Sequence, residues 1–275
     1  MADVIKFVDV TLCDGCRACM VACKNWNDLP TEQAETFSGS YQSHEHLTAN
    51  TWNVLTFKEQ ENSNGGLDWL FRHSACMHCT DAACEKVCPE NAISYTDHGS
   101  VVVDYDACIG CGYCVQNCPF GVIQLNEYKE ENGTTQRRAQ KCTLCTDRLD
   151  NGLLPACATA CHTGAIQYGS KEEILAMAKQ RLAKVKDRYP NANIYNPQGV
   201  NGTHTVYLLA DKPSVYDLPE DPRVPLSAKV WKDYAQPTGK ALFGVTTMAV
   251  VGAFIGNTFF NKDKGEEVEG DERNE

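Results

Sequence analysis

Positive charge is in short supply in this 275-residue chain: 25 Lys and Arg stand against 36 Asp and Glu, a formal net charge of −11. Nucleic acid is thereby excluded as the main partner, because phosphate binding needs a basic face. The opening "MADVIKFVDV" lacks both the basic start and the apolar run of a secretory signal, and alternates like a strand instead. No acid–base constellation is readable, and charge is missing altogether from residues 241–260. One excess stands against these shortages: sixteen cysteines. A disulfide scaffold explains such a density only in a short secreted chain, which neither the length nor the opening fits.

The cysteines fall into four sets of four with none left over. The first is "CDGCRACMVAC", with Cys13, Cys16, Cys19 and Cys23. The second is "CMHCTDAACEKVC", with Cys76, Cys79, Cys84 and Cys88. The third, in "DACIGCGYCVQNCPF", holds Cys108, Cys111, Cys114 and Cys118; the fourth, "CTLCTDRLDNGLLPACATAC", holds Cys142, Cys145, Cys157 and Cys161. Every set ends in C-x-x-x-C. The flanks repeat as well: "PENAISY" follows Cys88, "PFGVIQL" follows Cys118 and "HTGAIQY" follows Cys161. The repeated unit is therefore strand, cysteine loop, short helix, strand. In the first set the return strand is delayed, since "KNWNDLP" follows Cys23.

Gaps of two, two and three residues, closed by Cys-Pro in the third set, are the spacing by which bacterial-type ferredoxins hold [4Fe–4S] clusters, the fourth cysteine ligating the partner cluster. Applied here, that rule predicts four clusters: Cys13, Cys16, Cys19 and Cys161 (A); Cys142, Cys145, Cys157 and Cys23 (B); Cys76, Cys79, Cys84 and Cys118 (C); Cys108, Cys111, Cys114 and Cys88 (D). The expected fold is α+β, with two ferredoxin-like lobes of two clusters each, one inserted in the other. Residues 1–50 and 138–210 would form the outer lobe and 51–137 the inserted one. A structural zinc protein is the competing reading, but zinc favours two separated Cys pairs, often with histidine, and sets one and three offer no separation. A cluster that does chemistry leaves an iron open, whereas four thiolates per cluster suit electron transfer.

Residues 51–75 read as two strands around Asn64-Gly65-Gly66, with Trp52, Trp69 and Phe71 expected to cover the core. A second hairpin tip is expected at 130–134. Arg137, Arg138 and Lys141 are expected as solvated charges, although a cation near a cluster would raise its potential. His78 and His162 are not needed as ligands and are expected in packing or surface roles. Residues 170–190 form a helix whose Ser170 and Glu173 make a capping box, with Ile174, Ala178, Leu182 and Val185 as its apolar stripe. A Pro-rich linker over 211–240 precedes the uncharged run 241–260, and 261–275 is an acidic tail. Twenty residues at helical rise span about 30 Å, a bilayer core, so 241–260 is expected to cross or anchor in lipid. A buried core helix is the other reading of a run that is only just long enough.

The motifs "CDGCRACMVACKNWND", "CMHC", "CIGCGYCVQNCPF" and "KCTLCTDR", with "YNPQGVNGTH" and the terminal apolar run, resemble the iron–sulfur (β) subunit of respiratory membrane-bound formate dehydrogenases. The wider family serves molybdopterin oxidoreductases; polysulfide, thiosulfate and dimethyl-sulfoxide reductase subunits are the neighbouring branches, which generally lack the terminal helix. His162, where proline is usual, and Lys24 depart from the pattern outside the ligand set. The resemblance implies a non-catalytic electron conduit. Its partners would be a molybdenum or tungsten pterin catalytic (α) subunit and a membrane cytochrome b (γ) subunit leading to quinone. It also implies a cluster domain on the periplasmic side of a bacterial cell membrane, exported folded with the catalytic subunit.

Overall fold

The computed structural model describes residues 4–32, 40–61, 65–129 and 133–260, with side chains through 256. The expected acidic tail at 261–275, residues 130–132 of the second hairpin tip and Asn64 of the first turn lie outside the described residues. The chain forms two units, Met1–Pro225 and Leu226–Glu275, and both expected lobes fall inside the first.

The strands are β1 (Val4–Asp9), β2 (Val54–Glu61), β3 (Leu67–Ser74), β4 (Ile93–Tyr95), β5 (Val101–Val103), β6 (Gln124–Lys129), β7 (Thr135–Gln140), β8 (Ile166–Ser170), β9 (Asn193–Tyr195) and β10 (Thr205–Leu209). The first unit's helices are α1 (Ala18–Trp26), α2 (Ala83–Lys86), α3 (Tyr113–Asn117), α4 (Thr146–Asp150), α5 (Ala156–Thr159) and α6 (Lys171–Val185).

The largest sheet has the order β8-β1-β10-β9, with β1 parallel to β10 and antiparallel to β8. Side chains alternate across a strand, so the two faces of β1 part company. Ile5 and Phe7 join Val206 and Leu208 under α6, against Ile174, Ala178 and Val185. Val8 turns to the other face and packs with Tyr207, Leu209, Cys19 and Cys157. Ser170 caps α6 by accepting from the Glu173 N–H, and its hydroxyl donates to Glu173 Oε2 at 2.7 Å, so the expected Ser170–Glu173 pairing forms with the glutamate on the hydroxyl. Arg181 reaches back from α6 to Asp9 Oδ2 at 2.9 Å, pairing a carboxylate buried at the end of β1.

Three two-stranded elements complete the unit: β2-β3, β4-β5 and β6-β7. Ile93, Ile123 and Ile166, the residues that repeat after three of the cysteine sets, are all buried. Trp52 and Phe71 are buried as well, but Trp69 is 57 % exposed and packs sideways on Tyr41, with ring centroids 6.2 Å apart. It therefore does not cover the core: it shares the face of Phe71 but sits nearer the hairpin turn, where Leu67 is exposed as well.

The Pro-rich stretch differs from the extended linker expected over 211–240. Up to Pro225 it is a packed strap: Tyr216 is fully buried and its hydroxyl accepts from the Ala210 N–H at 3.3 Å, and Leu218 and Val224 are also buried. In the second unit, helix begins at once with α7 (Leu226–Lys229), continues as a π turn (Val230–Ala235) and runs on as α8 (Gln236–Phe260). Pro237 lacks an N–H and its ring crowds the carbonyl four residues back; the wider π turn just before it lets the helix pass through the proline. Leu226–Gly256 is 31 residues long, with its most apolar stretch unburied, and is long and apolar enough to cross a membrane.

Gly110 is the tightest point between a cysteine loop and a hairpin. Its φ is +67°, and a Cβ there would lie 2.4 Å from Arg137 Cβ and 2.6 Å from the Arg137 carbonyl oxygen. Gly110→Ala should therefore cost roughly 1–3 kcal/mol in backbone strain alone, before the clash is relieved. A drop in the thermal unfolding midpoint, with a lower iron content of the purified protein, is the expected result.

Candidate metal centres

In the first three cysteine sets a residue in the left-handed region turns the chain and the next short helix presents the third cysteine; in the fourth set the left-handed turn leads into α4 and the third cysteine follows on α5. Gly15 (φ +79°) and Arg17 (φ 63°) precede α1; His78 (φ 48°) precedes α2; Gly110 (φ +67°) and Gly112 (φ +81°) precede α3; Leu144 (φ 60°) and Cys145 (φ 53°) precede α4. Cys19, Cys84, Cys114 and Cys157 thus ride on α1, α2, α3 and α5. The helices pack in pairs, α1 on α5 and α2 on α3. Turns of this kind aim successive backbone N–H groups into the space that they enclose. Cys76 Sγ accepts from the His78 N–H at 3.5 Å and Cys142 Sγ from the Leu144 N–H at 3.3 Å. Cys88 Sγ accepts from the Ala92 N–H at 3.2 Å and Cys161 Sγ from the Ile166 N–H at 3.3 Å.

None of the sixteen cysteines is in a disulfide. Burial pushes the Cys79 thiol well above the ordinary range, and Cys76, Cys84 and Cys118 add to it as like charges. Around Cys114, pushed up to about 12, burial acts first and Cys108, Cys111 and Cys88 follow. Cys88, Cys108, Cys111 and Cys114 also line one common cavity. Cys13, at about 11, is raised by burial and by Cys161 and Cys16. Cys145, at about 12, is raised by burial, Cys142 and Cys157, and Cys23 by burial and then Cys142, Cys157 and Cys145. Cys23, Cys88 and Cys118 thus each have three cysteines of another set as neighbours, and Cys161 has Cys13 and Cys19.

Such thiols stay protonated at neutral pH unless a cation compensates their crowding. A thiolate-bound metal does so, and N–H groups directed at sulfur are what an iron–sulfur cluster's ligands accept. The residues fit that group: when bound, it supplies one-electron transfer, and these residues would hold it.

Cysteines of different groups are also electrostatic neighbours. After burial, Cys157 raises Cys19, and Cys118, Cys76 and then Cys114 raise Cys84. Between these groups lies Lys6, fully buried, whose electrostatic neighbours include Cys142, Cys157 and Cys76. Burial works against the charge of Lys6, but those thiols and Tyr207 outweigh it and hold the ammonium above the usual lysine range. Only Cys16 and Cys111, at the two ends of this series, are exposed cysteines.

Sequence reasoning passed over Lys6; the signal was a lone charge inside the apolar alternation of "VIKFVD". Lys141, expected in solvent, is instead 2 % exposed and donates to the carbonyls of Val101 and Cys142, because it starts the loop of the fourth set where the chain dives between β5 and the cysteines. Arg137 and Arg138 stay at the surface hairpin, Arg137 paired with Glu127 at 2.6 Å and Arg138 over the Tyr128 ring. His78 is fully buried and its Nδ1 accepts from the Val101 N–H at 3.0 Å. His162 is exposed, 2.9 Å from Asp14. Lys24 donates to the carbonyls of Pro30 and Asn50, away from the sulfur side.

Comparison with known proteins agrees with this chemistry. Two family profiles, each described as a 4Fe-4S dicluster domain, match residues 12–99 and 67–171. The nitrate-inducible formate dehydrogenase iron–sulfur subunit of Escherichia coli is 44 % identical over 261 residues, covering 93 % of this chain and 85 % of its own length. The formate dehydrogenase iron–sulfur subunit of Haemophilus influenzae is 43 % identical over 92 % of this chain and 80 % of its own. The β subunit of the Megalodesulfovibrio gigas formate dehydrogenase is 34 % identical over 76 % of this chain and 95 % of its own. With two dicluster matches and relatives this close along nearly its whole length, the chain belongs to the family of formate dehydrogenase iron–sulfur subunits.

Proposed function

We propose that this chain carries electrons through four [4Fe–4S] clusters, in the order A, B, C, D, between a molybdenum or tungsten pterin catalytic subunit that oxidises formate and a membrane cytochrome b subunit that passes them to quinone. One observation carries the reading: an unbroken series of neighbouring cysteine groups with an exposed cysteine at each end and none in the middle. Clusters A and B would belong to an outer lobe (1–50 and 138–210) and C and D to an inserted lobe (51–137). The packing of α1 on α5 and of α2 on α3 supports that division. The partners and substrate rest on the relatives, whose names place them in formate dehydrogenases.

Within this reading the chain is a conduit and not a catalyst. Its residues hold and shield the clusters, and each transfer moves one electron with no bond made or broken. Leu226–Gly256 would anchor the complex in the membrane. By likeness to the respiratory formate dehydrogenases, the cluster-bearing unit would lie on the periplasmic side of a bacterial cell membrane, exported with the catalytic subunit.

Anaerobically purified protein should contain about sixteen iron and sixteen labile sulfide per chain; about four zinc without sulfide would leave a structural zinc protein. The ligand sets are tested by pairing substitutions. Cys84→Ser with Cys118→Ser should remove about four iron, since both thiols serve cluster C, whereas Cys84→Ser with Cys108→Ser should remove about eight. Loss of about eight iron from both pairs would show that the fourth ligand is not exchanged between sets. Chains ending at residue 225 should move from the carbonate-resistant membrane fraction to the soluble one, and retention on the membrane would rule out the helix as anchor.

A further inference from the structure

Two lysines with no place in cluster ligation are buried where the cysteine groups of B and C meet, and the backbone holds them there. Lys6 shares the cysteine-facing side of β1 with Val8, and is paired across the ladder with Thr205 of β10. The Thr205 hydroxyl donates to the Cys76 carbonyl at 3.1 Å and its N–H to the Met77 carbonyl at 3.0 Å, which brings β10 against the second cysteine loop. A run of hydrogen bonds then joins the two lysines. The Lys6 N–H donates to the His204 carbonyl at 2.8 Å, and the His204 N–H to the His78 carbonyl at 2.9 Å. The Val101 N–H donates to His78 Nδ1 at 3.0 Å, and Lys141 Nζ donates to the Val101 carbonyl.

Among the described residues no carboxylate pairs with either ammonium. Lys6 Nζ lies 3.4 Å from His73 Nε2, a neutral ring that can only accept from it. Lys141 Nζ has the carbonyls of Val101 and Cys142. The negative groups around them are sulfurs: Cys142, Cys157, Cys23 and Cys76 for Lys6, and Cys76 and Cys84 for Lys141. These belong to B and C and to neither outer group. A buried ammonium without a counter-charge costs several kcal/mol, so the pair is stable here because thiolates of both groups surround it.

We propose that Lys6 and Lys141 are positioning residues for the electron pathway: two fixed cations that raise the reduction potentials of the two inner clusters above those of the outer ones. The inference rests on the four-cluster reading. Uptake of one electron makes a cluster one charge more negative, and a nearby fixed cation in a dry interior favours that state. No proton is exchanged. The inner pair then accepts electrons readily from either end and keeps them away from solvent while a partner docks.

The test uses the assembled complex bearing Lys6→Met or Lys141→Met, iron and sulfide analysis, and EPR-monitored redox titration, with B and C identified by the signals lost in Cys145→Ser and Cys84→Ser. Lys6→Met should keep its iron and lower the potentials of both B and C. The reduced-to-oxidised ratio at a fixed ambient potential should fall at least tenfold, about 59 mV for one electron. Lys141→Met should lower C more than B, and A and D should not move in either variant. Full iron with unmoved inner potentials, or an equal shift of all four centres, overturns the proposal. So does loss of iron from both variants, which would make the lysines part of cluster binding instead. A parent complex with fewer than four centres would overturn the four-cluster reading itself, an outcome separate from these.

Discussion

Mutual repulsion among buried thiolates is the constraint around which this molecule is built. Two like charges about 4 Å apart repel by about 4 kcal/mol even at an effective dielectric of about 20, and burial adds the cost of desolvation. Four such groups in one small unit cannot be held by apolar packing. The cysteine loops answer with what the backbone can offer, which is N–H groups turned towards sulfur at Cys76, Cys88, Cys142 and Cys161. What remains has to come from bound iron and, where two groups meet, from lysine.

The secondary structure follows from the same demand. Cluster loops need left-handed backbone at fixed places, supplied by glycine at 15, 110 and 112 and by non-glycine residues at 17, 78, 144 and 145. The helices α2, α3 and α5 are single short turns that would not form alone, since helix nucleation is unfavourable at such lengths; the packing of α2 on α3 and α5 on α1 holds them. The large sheet is the exception, with an ordinary apolar core of Ile5, Phe7, Val206 and Leu208 under α6. That core is independent of sulfur, so one face of β1 is a conventional scaffold while the other carries Lys6 towards the clusters.

Most of this was legible in the sequence because it is local. Cysteine spacing, the isoleucine five residues after three of the sets, the Ser170–Glu173 box and the β2-β3 hairpin each depend on residues a few positions apart. What was missed depends on contacts between distant segments. Lys141 reads as one more surface cation until Val101, forty residues away, is placed beside it. Trp69 reads as core until its place near the open end of the β2-β3 hairpin, beyond the buried Phe71, leaves it in solvent. The strap over 211–225 reads as a linker because proline and charge dominate it, yet Tyr216, Leu218 and Val224 bury themselves against the unit.

The distribution of exposure along the cysteine series argues for a conduit more directly than the count of cysteines does. A structural metal site gains from being closed everywhere, and a site that does chemistry needs an opening at its reactive centre. Here cysteines of neighbouring sets act on one another, and the two exposed cysteines are Cys16 and Cys111, with every cysteine of the groups between them buried or half-buried. Solvent exposure is one of the terms that set a cluster's potential. Limiting water in the middle would leave the potentials there more to the groups that the fold places nearby. Under the proposed conduit reading, the two exposed cysteines mark where partners that exchange electrons would approach.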